Sequence, residues 1–531
     1  MERRPRSPGA AARRVFVLGL ALGVALLGFA CEGARRGSQR PVEANLARVD
    51  VYLGCSDPNA WPVVVELASV ALRAESGEDV VLDLARPRLV PGELARRLPL
   101  AGASVPPGTY SALVLEVRKA TLAGPDGAIE LRLVDRAAPR VDAPPAPDPN
   151  AKPKSEDAKD PNAPSEPSST PPAFDTALLA SRDSGATAKY VLPVRGRLAR
   201  QDALTLFVDW NLSASFPGGA EFAPAFALTT ERPHASLGLL YVADGAGASV
   251  LAVERSSGEV VATYKTGAEP RSIALARDRR RLFAANARDG SLDLIDVQQQ
   301  RSISTLTFGL SARTSDVALV DPRGMLVLAQ RDLDKVSLVD TGSFTRVLDL
   351  SVGRAPVRLA SSPESDRVFV VESGADAVEV VDLRARALAG RIPVESRPSD
   401  AALDRRGREL FVGHALAPNL LVFDASTLVQ RATIFVGGDV TAVLCDRRRD
   451  RVYVARSRPP ELVVVDRELA TVLRRIPVSG RIEALAQPVD GAELYGAAPE
   501  LGGLVVVDLV LGRELGPIRC GGRPLDVLVA D

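Results

Sequence analysis

Residues 267–308 read GAEPRSIALARDRRRLFAANARDGSLDLIDVQQQRSISTLTF, and this stretch of 42 residues is one turn of a repeat that runs from Leu239 to the end of the chain. Within it lie four short β-type runs, PRSIALA, RLFAAN, SLDLIDV and SISTLTF, separated by polar or glycine-bearing turns. The third run ends on an acid, and the same feature recurs at Glu254, Asp296, Asp340, Asp382, Asp424, Asp466 and Asp508, spaced by 42, 44, 42, 42, 42 and 42 residues. A second landmark keeps the same phase in the second run, at Tyr241, Phe283, Val327, Phe369, Phe411, Tyr453 and Tyr495. A period of 40–45 residues holding four strands is that of a propeller blade, whose sheet buries its faces only against its neighbours.

The array enters on the second strand type, LLYVAD at 239–244, and leaves on the first, PLDVLVA at 524–530. The expectation is a closed ring of seven blades in which the last strand completes the first blade, since closure removes free sheet edges. These repeats resemble the YVTN family of β-propellers, through YVAD at 241–244, FAAN at 283–286, DLIDV at 293–297, GAEPRSIA at 267–274 and GRAPVRLA at 353–360. The resemblance implies a propeller over 237–531. Function is left open by it, because such propellers serve as binding scaffolds, as partner platforms and sometimes as enzymes.

Upstream, residues 1–14 carry five arginines and one acid, and an apolar run of 16 residues follows up to Cys31. That layout is a signal peptide, with a run shorter than the ~20 residues of a spanning helix. Ala30–Cys31 resembles the bacterial lipobox, with Gly28 and Phe29 departing from its usual residues. The resemblance implies lipidation at Cys31, a tether over 32–45, and a place in the cell envelope as an outer-membrane or periplasmic lipoprotein, or secretion. Val- and Leu-rich runs from Ala47 to Trp210 predict a β-sandwich of about seven strands over 46–230. VDVYL at 49–53, VPPGTYSALVLEV at 105–117 and LTLFVDWN at 204–211 resemble a family of unassigned function common in bacterial lipoproteins. Eleven prolines between Pro139 and Pro172 mark 136–187 as a disordered insert in that domain. The fold class expected is therefore all-β, a sandwich with a proline-rich insert followed by a seven-bladed propeller.

Composition narrows the function. Lys+Arg 66 balances Asp+Glu 66, only seven of the bases are Lys, and aromatics make up 4%. A neutral chain poor in aromatics speaks against nucleic-acid binding. The two histidines, His234 and His414, read as exposed loop residues, and Cys31, Cys55, Cys445 and Cys520 form no CxxC pair, so no zinc or haem site and no cofactor is expected. DGAGAS at 244–249 joins two strands and opens no helix, and reads as a hairpin turn. The repeat acids read as turn residues that accept backbone N–H groups. No acid set peculiar to single repeats emerges that would build a metal centre in the channel.

One constellation remains. The turn into each innermost strand places Glu269, Arg313, Ala355, Arg397, Asp439, Arg481 and Arg523 at one repeat position, with Arg271 and Arg354 beside it. Arg271, Arg313, Arg354, Arg397, Arg481 and Arg523 are thus expected around one mouth of the channel, ready for a protein partner or an anionic ligand. The functional expectation is a monomeric binding scaffold, tied to a membrane through an N-terminal lipid. The alternatives are a lactonase-like propeller hydrolase or lyase, and a structural cell-surface protein.

Overall fold

The computed structural model describes residues 46–134 and 187–530, apart from breaks at 60, 125–126, 201, 217–220, 230–237, 310, 321–322 and 363–365. The described residues from Ala47 onward form one compact unit. Cys31, His234 and the proline-rich segment lie outside the described residues.

The first domain is one curled sheet of ten strands, a half-barrel, where about seven strands in a sandwich were expected. Its strands are β1 (Ala47–Cys55), β2 (Val63–Ala74), β3 (Asp79–Leu84), β4 (Arg88–Leu89), β5 (Leu98–Val105), β6 (Gly108–Gly124), β7 (Gly127–Glu130), β9 (Ala188–Leu198), β10 (Ala203–Asn211) and β12 (Ala225–Thr229). The short β8 (Arg132–Leu133) and β11 (Glu221–Phe222) pair with each other. The sheet is continuous because β3 serves two neighbours: Leu82 to Asp79 pair with β2, while Asp83 and Leu84 pair with β5. A single core fills the curl, with Leu53, Leu72, Leu89, Trp210 and Phe222 all buried. β6 pairs with β2 along one edge and with β9 and then β7 along the other, so β7 and β9, which lie before and after the proline-rich segment, belong to one sheet.

Seven four-stranded sheets follow. Blade 1 takes three strands from Leu239–Lys265 and its innermost strand from Pro524–Ala530, with Leu239 opposite Ala530 and Val242 opposite Val527. Blades 2 to 7 begin with the innermost strands Pro270–Leu275, Thr314–Val320, Pro356–Ser361, Pro398–Leu403, Val440–Cys445 and Ala484–Ala486. Phe283, Phe369, Phe411, Tyr453 and Tyr495 are fully buried, as is Val327 in blade 3, which explains why the second run of every repeat keeps an apolar or aromatic side chain at this phase. The repeat acids hold the turns as expected. Asp296, Asp340, Asp382, Asp424 and Asp508 each accept two backbone N–H groups, for example from Gln298 and Gln299 at 2.9 Å.

The half-barrel covers one blade edge. Outer strands such as Thr345–Ser351 and Ala387–Pro393 are largely exposed, whereas Val260–Lys265 of blade 1 is buried throughout. Tyr52 and Phe207 of the half-barrel share a core with Val260, Ile518 and Cys520. The Arg97 guanidinium lies 5.4 Å from the Phe207 ring centre and pairs with Asp209 at 3.0 Å and Glu259 at 3.6 Å. Blade 1, the blade closed by the two chain ends of the ring, is therefore the one whose free edge is shielded, and the mouths of the channel are left to the turns.

Candidate ligand-binding mouth of the propeller

Antiparallel strands alternate in direction, so the turns entering the innermost strands and the turns between second and third strands share one face. Backbone bonds lock the two sets together. The carbonyls of Glu269, Arg313, Ala355, Arg397, Asp439 and Arg523 accept N–H groups from Ala287, Arg331, Ser373, Ala415, Ser457 and Gly245 at 2.8–3.0 Å. Four of these positions, Glu269, Ala355, Arg397 and Asp439, are left-handed at φ 53–61° without being glycine. Such backbone persists only where its surroundings fix it. At Ala355 and Arg397 the N–H donates at 2.8 Å to Asp334 and Asp376.

This face holds a cavity of about 600 Å³. Of the six expected arginines, Arg271, Arg397 and Arg481 line it, joined by Arg331, Arg358 and Arg458 and set against Asp439, Glu483 and Glu500. The other three are not on its wall. Arg313 stands exposed near Asp332 at 3.6 Å, Arg523 lies 3.7 Å from Glu269, and Arg354 is exposed. The acids at the same repeat position are spent locally, Glu269 on Arg523 and Asp439 on Arg458 at 2.7 Å. Arg481 pairs with Glu483 at 3.0 Å.

Beneath the cavity the structure corrects the expectation that the channel has no acid set of its own. Arg358 reaches from blade 4 across the channel and donates to the Glu483 carbonyl of blade 7 at 2.8 Å. Asp316 lies 3.7 Å and Asp400 4.0 Å from its guanidinium. Burial opposes the charge of Arg358, but Asp316, Asp400, Asp526 and Glu483 more than offset this and hold it above its ordinary value. Burial pushes Asp400 and Asp526 up to about 6, with Arg358 acting in the opposite sense. Arg271 is lowered by burial and then by the like charge of Arg358.

The acids also join blades. Asp316 accepts the Leu359 N–H at 2.7 Å, Asp400 the Val443 N–H at 2.7 Å and Asp526 the Ile273 N–H at 2.9 Å, each from the innermost strand of the next blade. Ser272, Asp316, Arg358, Asp400, Ala442, Ala484 and Asp526 occupy one repeat position. Charge at four of these seven positions, inside strands otherwise apolar, was the available signal for the set.

Two further placements differ from expectation. His414 is buried, not a loop residue, and its Nδ1 lies 2.9 Å from the Asn419 carbonyl while burial lowers its pKa. It ends the second strand of blade 5, where other blades place Asn286, Gln330 and Glu372, all buried. Cys55, Cys445 and Cys520 are free thiols.

No family model matches the chain, and no curated protein matches its sequence. Among solved structures it is similar to a functionally unknown protein from Desulfotomaculum acetoxidans DSM 771, with TM-score 0.51 and 12% identity over 55% of this chain and 98% of that one. It is also similar to hydrazine synthase of Kuenenia stuttgartiensis, with TM-score 0.46 and 16% identity over 51% and 92%, and to a chain of a mitotic checkpoint complex, with 0.44 and 17% over 48% and 79%. At these identities the likeness is one of fold: the chain carries a seven-bladed β-propeller behind a half-barrel sheet domain.

Proposed function

We propose that the protein is a binding scaffold of the YVTN-repeat type whose propeller mouth docks an acidic segment of a partner protein or a small carboxylate anion. The observation that carries this reading is the charge on the wall of an open cavity: apart from Arg358, which Asp316, Asp400 and Asp526 hold, five arginines face three acids there. Arginine suits the task because its planar fork gives a carboxylate two parallel donors.

The reading is tested by titrating a hexa-aspartate peptide and oxalate into the protein. Arg397→Ala with Arg481→Ala is expected to weaken binding by about 10- to 100-fold, on the scale of one or two charge-assisted bonds. Arg313→Ala with Arg523→Ala, which lie off the wall, should change it little. Binding should also be tighter at pH 5 than at pH 7.5. Asp400 and Asp526 lose their protons near pH 6 and then add negative charge below the docking anion. Equal loss in both double variants, or no dependence on pH or salt, would refute the mouth as the site.

The hydrolase alternative would need a polar set open to substrate. The channel acids instead spend their oxygens on backbone N–H groups of neighbouring blades and their charge on Arg358.

The N-terminal sequence supports delivery of this scaffold to the cell envelope as a lipoprotein. Arginines precede a 16-residue apolar run that ends at Ala30–Cys31. Wild-type protein is expected to partition into detergent, and Cys31→Ser to be released or left unprocessed. Full membrane retention of the variant with a correctly trimmed N-terminus would exclude lipidation at this residue.

A further inference from the structure

The face opposite the mouth carries a second cleft, of about 880 Å³, at the turns between the first and second strands of blades 5 and 6. Nine arginines line it against five acids, although the chain as a whole is neutral. The two turns read DRRGRE at 404–409 and DRRRDR at 446–451. The repeat does not require this. The equivalent turns of blades 3, 4 and 7 read DPRGM at 321–325, PESDR at 363–367 and QPVDGAE at 487–493. Blade 2 has ARDRRR at 276–281, but there Arg281 is paired with Asp278 at 2.8 Å and Arg280 with Asp296 at 2.9 Å.

In blades 5 and 6 four of the five lining acids are used elsewhere, the exposed Glu468 being the exception. Asp446 accepts the N–H groups of Arg448 and Arg449 at 2.7 and 2.8 Å on one oxygen, and the Tyr453 hydroxyl and Gln487 amide at 2.7 and 2.9 Å on the other. Asp404 accepts the backbone N–H groups of Arg408 and Glu409 and pairs with Arg467 at 3.0 Å. Arg467 is further fixed by Glu409 and Asp450, which makes it a rigid, neutralised floor. The turns are thus held in shape by their own acids. The exposed side chains of Arg406, Arg408, Arg447, Arg448 and Arg449 have no carboxylate within 4.0 Å among the described residues.

We propose that this cleft binds a ligand carrying several phosphate groups, independently of the mouth. Unneutralised guanidiniums from two rigid adjacent turns repel one another, and a compact multivalent anion relieves that repulsion while using their paired donors. A single carboxylate would leave most of them unmatched. The chemistry is shared by a soluble phosphate chain and by the phosphomonoester headgroup of a lipid.

The test is calorimetric titration of the full chain with tripolyphosphate. One site is expected, weakened at least tenfold in Arg406→Ser with Arg448→Ser and weakened further by salt. Arg197→Ser with Arg200→Ser removes the same charge from exposed positions of the half-barrel and should leave affinity unchanged, as should the mouth variant Arg397→Ala with Arg481→Ala. These arginines are exposed, so melting temperatures should match wild type. Competition by phosphatidic acid vesicles would identify a membrane headgroup as the source, and no competition a soluble phosphate compound. Equal weakening in the half-barrel control, citrate displacing tripolyphosphate from this cleft with equal affinity in the mouth variant Arg397→Ala with Arg481→Ala, or no measurable binding of tripolyphosphate would overturn the proposal.

Discussion

Deleting Leu525–Asp531 should abolish cooperative unfolding of the propeller, an effect far beyond what seven terminal residues ordinarily contribute. The segment supplies most of the innermost strand of blade 1, and its loss leaves Leu239–Asp244 as an unpaired edge at the channel. Leu525 and Val527 are buried, and burial of such side chains contributes roughly 1.5–3 kcal/mol each. Asp526 is lost with them, and with it the bond to the Ile273 N–H and one of the charges around Arg358. Against a typical total stability of about 5–15 kcal/mol, the sum of these losses is decisive. The truncated protein should aggregate through its open edge, and a synthetic peptide of residues 522–531 added in trans should restore a cooperative melt. A monomeric truncated protein with the melting temperature of wild type would show that the ring does not depend on its closing strand.

Arg358→Met should cost about 3–5 kcal/mol at pH 8, the usual consequence of removing one partner from a buried set of charges. Most of that cost should be pH-dependent. In the wild type, Asp400 and Asp526 titrate near 6 in the folded protein, above the ~3.9 of an unfolded aspartate. The folded state therefore binds more protons than the unfolded state between about pH 4 and pH 6. Through these two groups, stability falls as pH rises across that window and is level above it. Without Arg358, burial acts on the carboxylates unopposed, so their folded pKa values rise and the decline should continue past pH 7. The gap between variant and wild type should be widest at pH 8 and narrowest near pH 5, and adding Asp400→Asn to Arg358→Met should recover part of it. Urea melts at the two pH values measure this. A gap that does not change with pH would mean that Arg358 acts only by filling space.

How these sites could be anticipated differs from residue to residue. The ring, its seven blades and its closing strand were legible because each repeat must present the same apolar faces to both neighbours, which imprints a 42-residue period on Phe283, Phe369 and Phe411 and on the turn acids. Arg271, Arg397 and Arg481 were also legible as mouth residues, since turn position follows from repeat position. Arg313 and Arg523 share that repeat position, yet their neighbours Asp332 and Glu269 draw them off the wall, and no repeat pattern encodes which neighbour a long side chain chooses.

What the sequence alone determined, then, is the architecture, because a period is a one-dimensional record of stacking. What only the tertiary structure decided is where unlike charges meet. Arg358 lies 42 residues from Asp316 and from Asp400, and 168 from Asp526, yet the channel draws all three carboxylates around its guanidinium. The curl of the half-barrel was decided the same way, by β3 pairing with β2 at one end and β5 at the other, and the shielding of blade 1 by the insertion of Tyr52 and Phe207 against its outer strand. These are contacts between elements that local propensity and periodicity treat as independent, so their energies enter only once the chain has closed on itself.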